Sequence, residues 1–248
     1  MMLDSVDRRV LGAVRFLDAT TQLAIRHGLR VRAADASLLV NRSGLWVIWK
    51  AKGLEGHSTV FEAPPAAPAL ASVSVDLIVD DSEARYLARR ATVKLPRDPA
   101  LATATQVNSL FRPQDVRMYP APNAATSPGW ALVRAHVARA SGGAPLAGAL
   151  VRVLRPADQQ VLARGMSDSR GEALVAVPGI PVTSFSSGDG PPIATEIDVT
   201  VQAIFDPAAG ADPDPDAIES ASGLPATSSA QKLAARQQLA VSLTIAVP

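Results

Sequence analysis

The sequence predicts an all-β protein, two β-sandwiches in tandem joined by a proline-rich connector. Three observations predict it. Apolar and polar residues alternate with period two along Glu196–Phe205 and again along Leu239–Val247, which is the pattern of a strand with one face buried. Short β-prone runs recur along the chain between clusters of Gly, Pro, Asp and Ser, a punctuation that indicates a sandwich or barrel rather than βαβ units. Midway, Pro113–Gly129 carries four prolines in a small, polar tract, which cannot sit in a central strand and makes a natural connector.

The elements follow in order. The first half offers strands at Val10–Leu17, Leu29–Ala33, Leu38–Val40, Leu45–Trp49, Thr59–Glu62, Val73–Val79 and Arg85–Leu95. Trp46 and Trp49 lie three apart, so they point to opposite sides of a regular strand; one is expected in the core and the other near a surface or interface. Leu101–Phe111 is expected to form a helical turn or two, and Val116–Tyr119 to close the first domain as an edge strand. The second half offers Trp130–Val137, Ala149–Leu154, Val161–Gly165, Ala173–Val177, Glu196–Phe205 and the final strand. Ser141-Gly142-Gly143, Pro156-Ala157-Asp158 and Ser169-Arg170-Gly171 supply turns between them. The expected organisation is a first sandwich over 1–121, a linker over 122–129, and a second sandwich over 130–248. Asp206–Arg236 would be a long insertion in that second domain, opening on Asp212-Pro213-Asp214-Pro215-Asp216 and ending in a weakly helical stretch, Ser229–Leu239.

Composition narrows the function. The 248 residues carry 24 basic and 23 acidic side chains, so no concentrated positive surface is available to neutralise nucleic-acid phosphates. There are no cysteines, which excludes disulfides, thiolate metal sites and thiol nucleophiles. The N-terminal residues lack the apolar run of a secretory signal, and no window has the apolar length of a membrane span. The chain is therefore expected to be cytoplasmic at synthesis. Arginine outnumbers lysine, with only Lys50, Lys52, Lys94 and Lys232, a bias of GC-rich bacterial genomes.

The segment Ala144–Val182 carries a motif. Gly143, Pro145, Leu146, Gly148, Ala149, Val151 and Val153 precede a variable turn, and Ser167, Asp168 and Gly171 precede an apolar strand. It resembles the carboxypeptidase regulatory-like domain, a small transthyretin-like β-sandwich akin to immunoglobulin-type folds; Ser167 replaces that family's usual threonine. A fainter version, Val14–Asp18, Gly28–Val31 and Arg42–Gly44, follows the same order in the first half, so two tandem copies are expected. The resemblance implies a folding, docking or assembly unit rather than a catalytic one, of the kind encoded beside contractile phage-tail-like particles.

Catalytic and metal patterns are absent from the sequence. His27, His57 and His136 have no histidine within five residues, and Gly165-Met166-Ser167-Asp168-Ser169 lacks the last glycine of a nucleophile elbow. The Asp212, Asp214 and Asp216 carboxylates invite calcium, but Ala217 and Gly223 stand where an EF-hand needs Gly and Glu; a proline-stiffened, solvated acidic tip is the simpler expectation. No cofactor is expected. The leading expectation is a non-enzymatic structural or adaptor protein of a multi-subunit bacterial particle, binding other protein subunits through sandwich edges and loops. Trp46, Trp49, Asp212, Asp214 and Asp216 are the candidate contacts, and deleting Pro207–Ala230 is expected to leave folding intact. The same edges admit a homo-oligomer. The rival is a carbohydrate- or cell-surface-binding, adhesin-like module, which would need exposed aromatic rings in a row.

Overall fold

The computed structural model describes residues 9–59, 65–181 and 196–247. It is an all-β sandwich protein whose fourteen described strands fall into four sheets. The chain groups into two compact units: Met1–Leu17, Leu23–Ser82 and Arg90–Arg117 form the first, and Asp18–Gln22, Glu83–Arg89 and Met118–Pro248 the second. Neither is a single stretch of sequence.

The first unit contains β1 (Gly12–Asp18), β2 (Leu29–Arg32), β3 (Ala36–Val40), β4 (Trp46–Ala51), β5 (Val73–Asp81), β6 (Arg89–Leu95) and β7 (Gln114–Met118), with a short helix α1 (Glu55–Thr59); the end residues Asp18, Arg89 and Met118 of three of these strands group with the second unit. Its sheets run β3-β4-β1-β7 and β2-β5-β6. Burial alternates as the sequence requires: Val14 and Phe16 on β1, Val75, Leu77 and Val79 on β5, and Ala91, Val93 and Leu95 on β6 are all inside. Thr59, expected to start a strand, instead ends α1, and the rest of that run lies outside the described residues.

The second unit contains β8 (Ala131–Arg139), β9 (Leu150–Leu154), β10 (Val161–Met166), β11 (Glu172–Val177), β12 (Glu196–Ile204), β13 (Ala226–Ala234) and β14 (Gln238–Ile245), with a short helix α2 (Pro215–Ser220). Its sheets run β10-β9-β12-β13 and β11-β8-β14. One core lies between them, built from Val133, Ala135 and Val137 on β8, Val151 and Val153 on β9, Val175 on β11, Val199 and Val201 on β12, and Leu243 and Ile245 on β14. Both faces of the sandwich thus contribute the inward half of an alternating pattern.

Each unit has seven described strands, and their neighbours correspond. The fourth, first and seventh strands lie side by side in one sheet of each unit, and the second, fifth and sixth in the other. The first and fourth pair antiparallel in both, as do the second and fifth. Only the third strand differs: β3 pairs with the fourth strand of its unit, whereas β10 pairs with the second.

Two expectations for the second half are corrected. The span 206–236 is not one long loop, because β13 occupies much of it and pairs with β12 along nine residues. The stretch expected to be weakly helical, Ser229–Leu239, is the end of β13, a tight turn and the start of β14. Deletion of Pro207–Ala230 would remove α2 and half of β13, so it would not leave folding intact.

Candidate functional site

The predicted acidic tip is an internal brace of the second unit. Asp214 caps α2, its Oδ1 accepting the backbone N–H of Asp216 at 3.1 Å and of Ala217 at 3.4 Å, with Pro215 in the first turn. The guanidinium of Arg89, fully buried, donates to Asp214 Oδ1 at 2.9 Å and to Asp216 Oδ2 at 2.6 Å, and lies 6.0 Å from the centre of the Tyr119 ring. A cation of the protein's own, the Arg89 guanidinium, thus bridges two of the three carboxylates. Among the described residues, no group of three or more His, Asp or Glu side chains is placed to hold a metal ion.

The rest of this segment is equally well held. Ile218 packs with Tyr119, Leu150, Met166 and Ile204 on the outer face of the four-stranded sheet, and Glu219 takes two bonds from Arg164 Nε, at 2.8 and 3.0 Å. Pro213 lies against Gly148, where a Cβ would meet its ring at 2.8 Å and where φ is +78°, so only glycine fits there. Asp212, Asp214 and Asp216 are half-buried. The solvated tip expected from alternating proline is therefore corrected: Pro213 and Pro215 are buried, and apolar contact plus a distant arginine fix the run against the sheet.

The other motif positions are structural too. Ser167, 2% exposed, donates to the Leu146 carbonyl at 2.6 Å and accepts the Ala149 N–H at 2.9 Å, so its hydroxyl ties strand ends together. Asp168 Oδ1 accepts the backbone N–H groups of Arg170 at 2.8 Å and Glu172 at 3.0 Å. Burial alone would push this carboxyl up, but those N–H bonds and the Arg170 guanidinium together hold it below the ordinary carboxylate range. Its folded value is depressed, so the stability it contributes is present in full above about pH 4 and is lost as pH falls through the lower folded value. The difference in unfolding midpoint between the wild type and Asp168→Asn is accordingly expected to shrink on acidification below that range; a difference that is flat with pH would contradict it.

The tryptophans resolve differently from the expectation. Trp46 and Trp49 sit on opposite faces of β4 as their spacing requires, but both are half-buried and neither joins the core. Trp130 and Tyr86 are half-buried and Tyr119 is fully inside, so none of these five rings is fully exposed and the two on β4 share no platform for a sugar. His136 lies on an outward sheet face, 2.8 Å from Glu172 on the neighbouring strand.

The most distinctive surface is one the sequence marked only as a helical turn. It lies in the first unit, between β6 and β7, where Asp98–Arg112 forms a loop with one 3-10 turn at Leu101–Thr103. Arg97 holds it from within: its guanidinium is almost fully buried and donates to the carbonyls of Ser109 at 3.0 Å, Arg112 at 3.2 Å, and Val107. Burial, with Arg112 nearby, lowers its pKa from the usual arginine value. Its side-chain stem runs over Gly12, where a Cβ would meet Cδ at 3.1 Å. Asp98 closes the base, accepting from the Ala100 N–H at 2.9 Å and Thr103 Oγ1 at 2.7 Å, while the Leu110 N–H donates to its carbonyl at 2.8 Å. With several of its backbone groups bonded within the loop, the loop turns three apolar side chains outward: Leu101 is 79% exposed, Val107 83% and Phe111 54%. Exposed large apolar side chains are otherwise confined to Val10, Leu23, Leu39, Val40 and Leu70 among the described residues, all in this same unit.

No family model matches the chain, and no curated protein matches it. A solved structure, the Bacillus anthracis TIE protein, is similar at 8% identity and a TM-score of 0.29, over 95% of this chain and 34% of that one. This chain spans about a third of that chain's length, and a likeness at that score carries no argument. No helix among the described residues is long and apolar enough to cross a membrane. What the chain is shown to be is an all-β sandwich protein.

Proposed function

We propose that this protein is a non-enzymatic structural or adaptor subunit of a multi-subunit bacterial assembly, and that it binds other protein subunits through the first unit. The observation that carries the reading is the loop Asp98–Arg112, in which a buried arginine fixes the backbone so that Leu101, Val107 and Phe111 stand in water. Exposing three large apolar groups while burying a cation beneath them is costly. That arrangement suits a preformed anchor, since apolar and aromatic side chains on a fixed backbone lose little freedom when a partner covers them.

The finer reading rests on the motif Gly143–Gly171. It assigns the second unit to the carboxypeptidase regulatory-like domains, the first to a diverged tandem copy, and the assembly to the contractile phage-tail-like particles. The matching strand neighbours of the two units support the duplication; the displaced third strand is the divergence it must explain. The glycan-binding alternative has no comparable support, because Trp46 and Trp49 lie on opposite faces of one strand.

Replacing Leu101, Val107 and Phe111 together by serine is expected to abolish co-sedimentation with large particles in host extracts, with the unfolding midpoint within a few degrees of wild type. Full incorporation of that variant would refute the loop as the contact.

A further inference from the structure

We propose that two copies of this chain associate through the outer edge of β13, pairing antiparallel about a two-fold axis near Ala230. This goes beyond the adaptor reading, since it needs no partner but the chain itself and stands whether or not the loop at Asp98–Arg112 is covered.

A strand at the end of a sheet leaves half of its backbone N–H and C=O groups facing outward, and natural sheets guard such edges. Most edges here are guarded. β3 and β10 are broken by register shifts, at Ser37/Leu38 and Val161/Ala163. β2 is four residues long with two exposed arginines. β6 carries Arg90 and Lys94, and its Thr92 carbonyl is capped by Gln114 Nε2 at 2.9 Å. β7 has five residues, two of them charged. β11 is approached by the backbone of β10 so closely that a Cβ at Gly165 would lie 2.7 Å from the Leu174 carbonyl oxygen.

Among the described residues β13 has such a device only at its last position, where the Ala234 N–H donates to Gln237 Oε1 at 2.8 Å. It runs nine residues in unbroken register with β12, from Glu196↔Ala234 to Ile204↔Ala226, contains no proline, and carries one charge, Lys232. β14 is also uncharged and regular, but Val241, Leu243 and Ile245 bury it in the core. β13 buries only Leu233, and its inward-facing Thr227, Ser229 and Gln231 are half-exposed. It is thus ordered mainly by its ladder to β12, and a second ladder would stabilise it where side-chain burial does not.

A second copy fits this edge. About a two-fold axis at Ala230, Ser228 faces Lys232 and Thr227 faces Leu233, so no like charges meet; the ladder stops short of Ala234, whose N–H and C=O are taken by Gln237. Behind Lys232 stand Glu196, whose Oε2 is 4.0 Å from Nζ, and Asp198, its register partner; this end stays locally neutralised. One edge strand buries less than a standard interface of about 1,600 Å², so a weak dimer that depends on concentration is expected.

Sedimentation velocity of the full chain tests the inference, with the wild type expected to pass from monomer to dimer as concentration rises to roughly 200 μM. Ala230→Lys and Ala230→Glu chains are each expected to dimerise at least tenfold more weakly, while an equimolar mixture of the two recovers the dimer, a result that loss of folding would not produce. Ser242→Lys on β14 is expected to leave dimerisation unchanged. A wild type that stays monomeric at the highest concentration, a dimer indifferent to Ala230→Lys, or one lost through Ser242→Lys instead would overturn the inference.

Discussion

Replacing Arg89 by alanine is expected to lower the stability of the protein by about 3 to 5 kcal/mol. The side chain is completely buried, and its partners are unequal: Asp214 is 12% exposed and Asp216 44%. The exposed half of Asp216 remains hydrated when the guanidinium is lost, so little of the cost comes from there. Asp214 decides the magnitude, since it would be left as a nearly buried carboxylate that keeps the two N–H groups of the α2 cap but loses its buried cation. The support of the cap places Arg89→Ala toward the lower end of the range. Arg89→Met combined with Asp214→Asn should recover part of the loss, because removing both charges removes the unpaired one. Urea unfolding monitored by tryptophan fluorescence measures both, and an Arg89→Ala change within about 1 kcal/mol of wild type would show that the brace contributes little.

Gly171→Ala is the second large expected effect. Gly171 has φ of +76°, and a Cβ there would stand 2.3 Å from the Val137 carbonyl oxygen and 3.2 Å from Pro145 Cβ. That oxygen cannot retreat freely, since it accepts the Leu146 N–H at 3.0 Å, and the Val137 N–H in turn donates to the Gly171 carbonyl at 2.8 Å. An alanine adds the left-handed penalty of roughly 1 to 2 kcal/mol to an overpacking cost of roughly 1 to 3 kcal/mol. Gly179→Ala separates the two contributions, because Gly179 has φ of +80° but nothing within 4 Å of its would-be Cβ. The Gly179 variant should therefore lose only the conformational part. Equal losses at the two positions would mean that crowding against Val137 has no energetic weight.

These two residues also show where the sequence was legible. Gly171 was marked as a turn residue by its neighbours Asp168 and Ser169, and the local bonds of that turn are all within five positions. Arg89 was not marked, because its partners lie 125 and 127 residues away and nothing near it in sequence signals a brace. The same distance explains the misreading of Asp212–Asp216. Its cap signature, Asp followed by Pro, was present, but the groups that bury it come from β9, β10 and the Tyr119 segment. β12 and β14 were read from their alternation, whereas β13 buries one side chain in nine and so carries almost no pattern; its partner strand makes it a strand. The loop at Asp98–Arg112 escaped for a further reason: exposed leucine, valine and phenylalanine look like core residues in a sequence, and only the fold, with Arg97 holding the loop carbonyls, shows that they face outward.

The claim on which the account depends is that this loop is the surface a protein partner covers. Photo-crosslinking from a benzoylphenylalanine placed at Val107, with a second placed at the exposed turn residue Gly179, tests it in cells that build the native assembly. A single discrete protein adduct is expected from position 107, vanishing when Leu101 and Phe111 are changed to serine, and none from position 179. Equal labelling from both positions, or none from 107 in assembled particles, would contradict it.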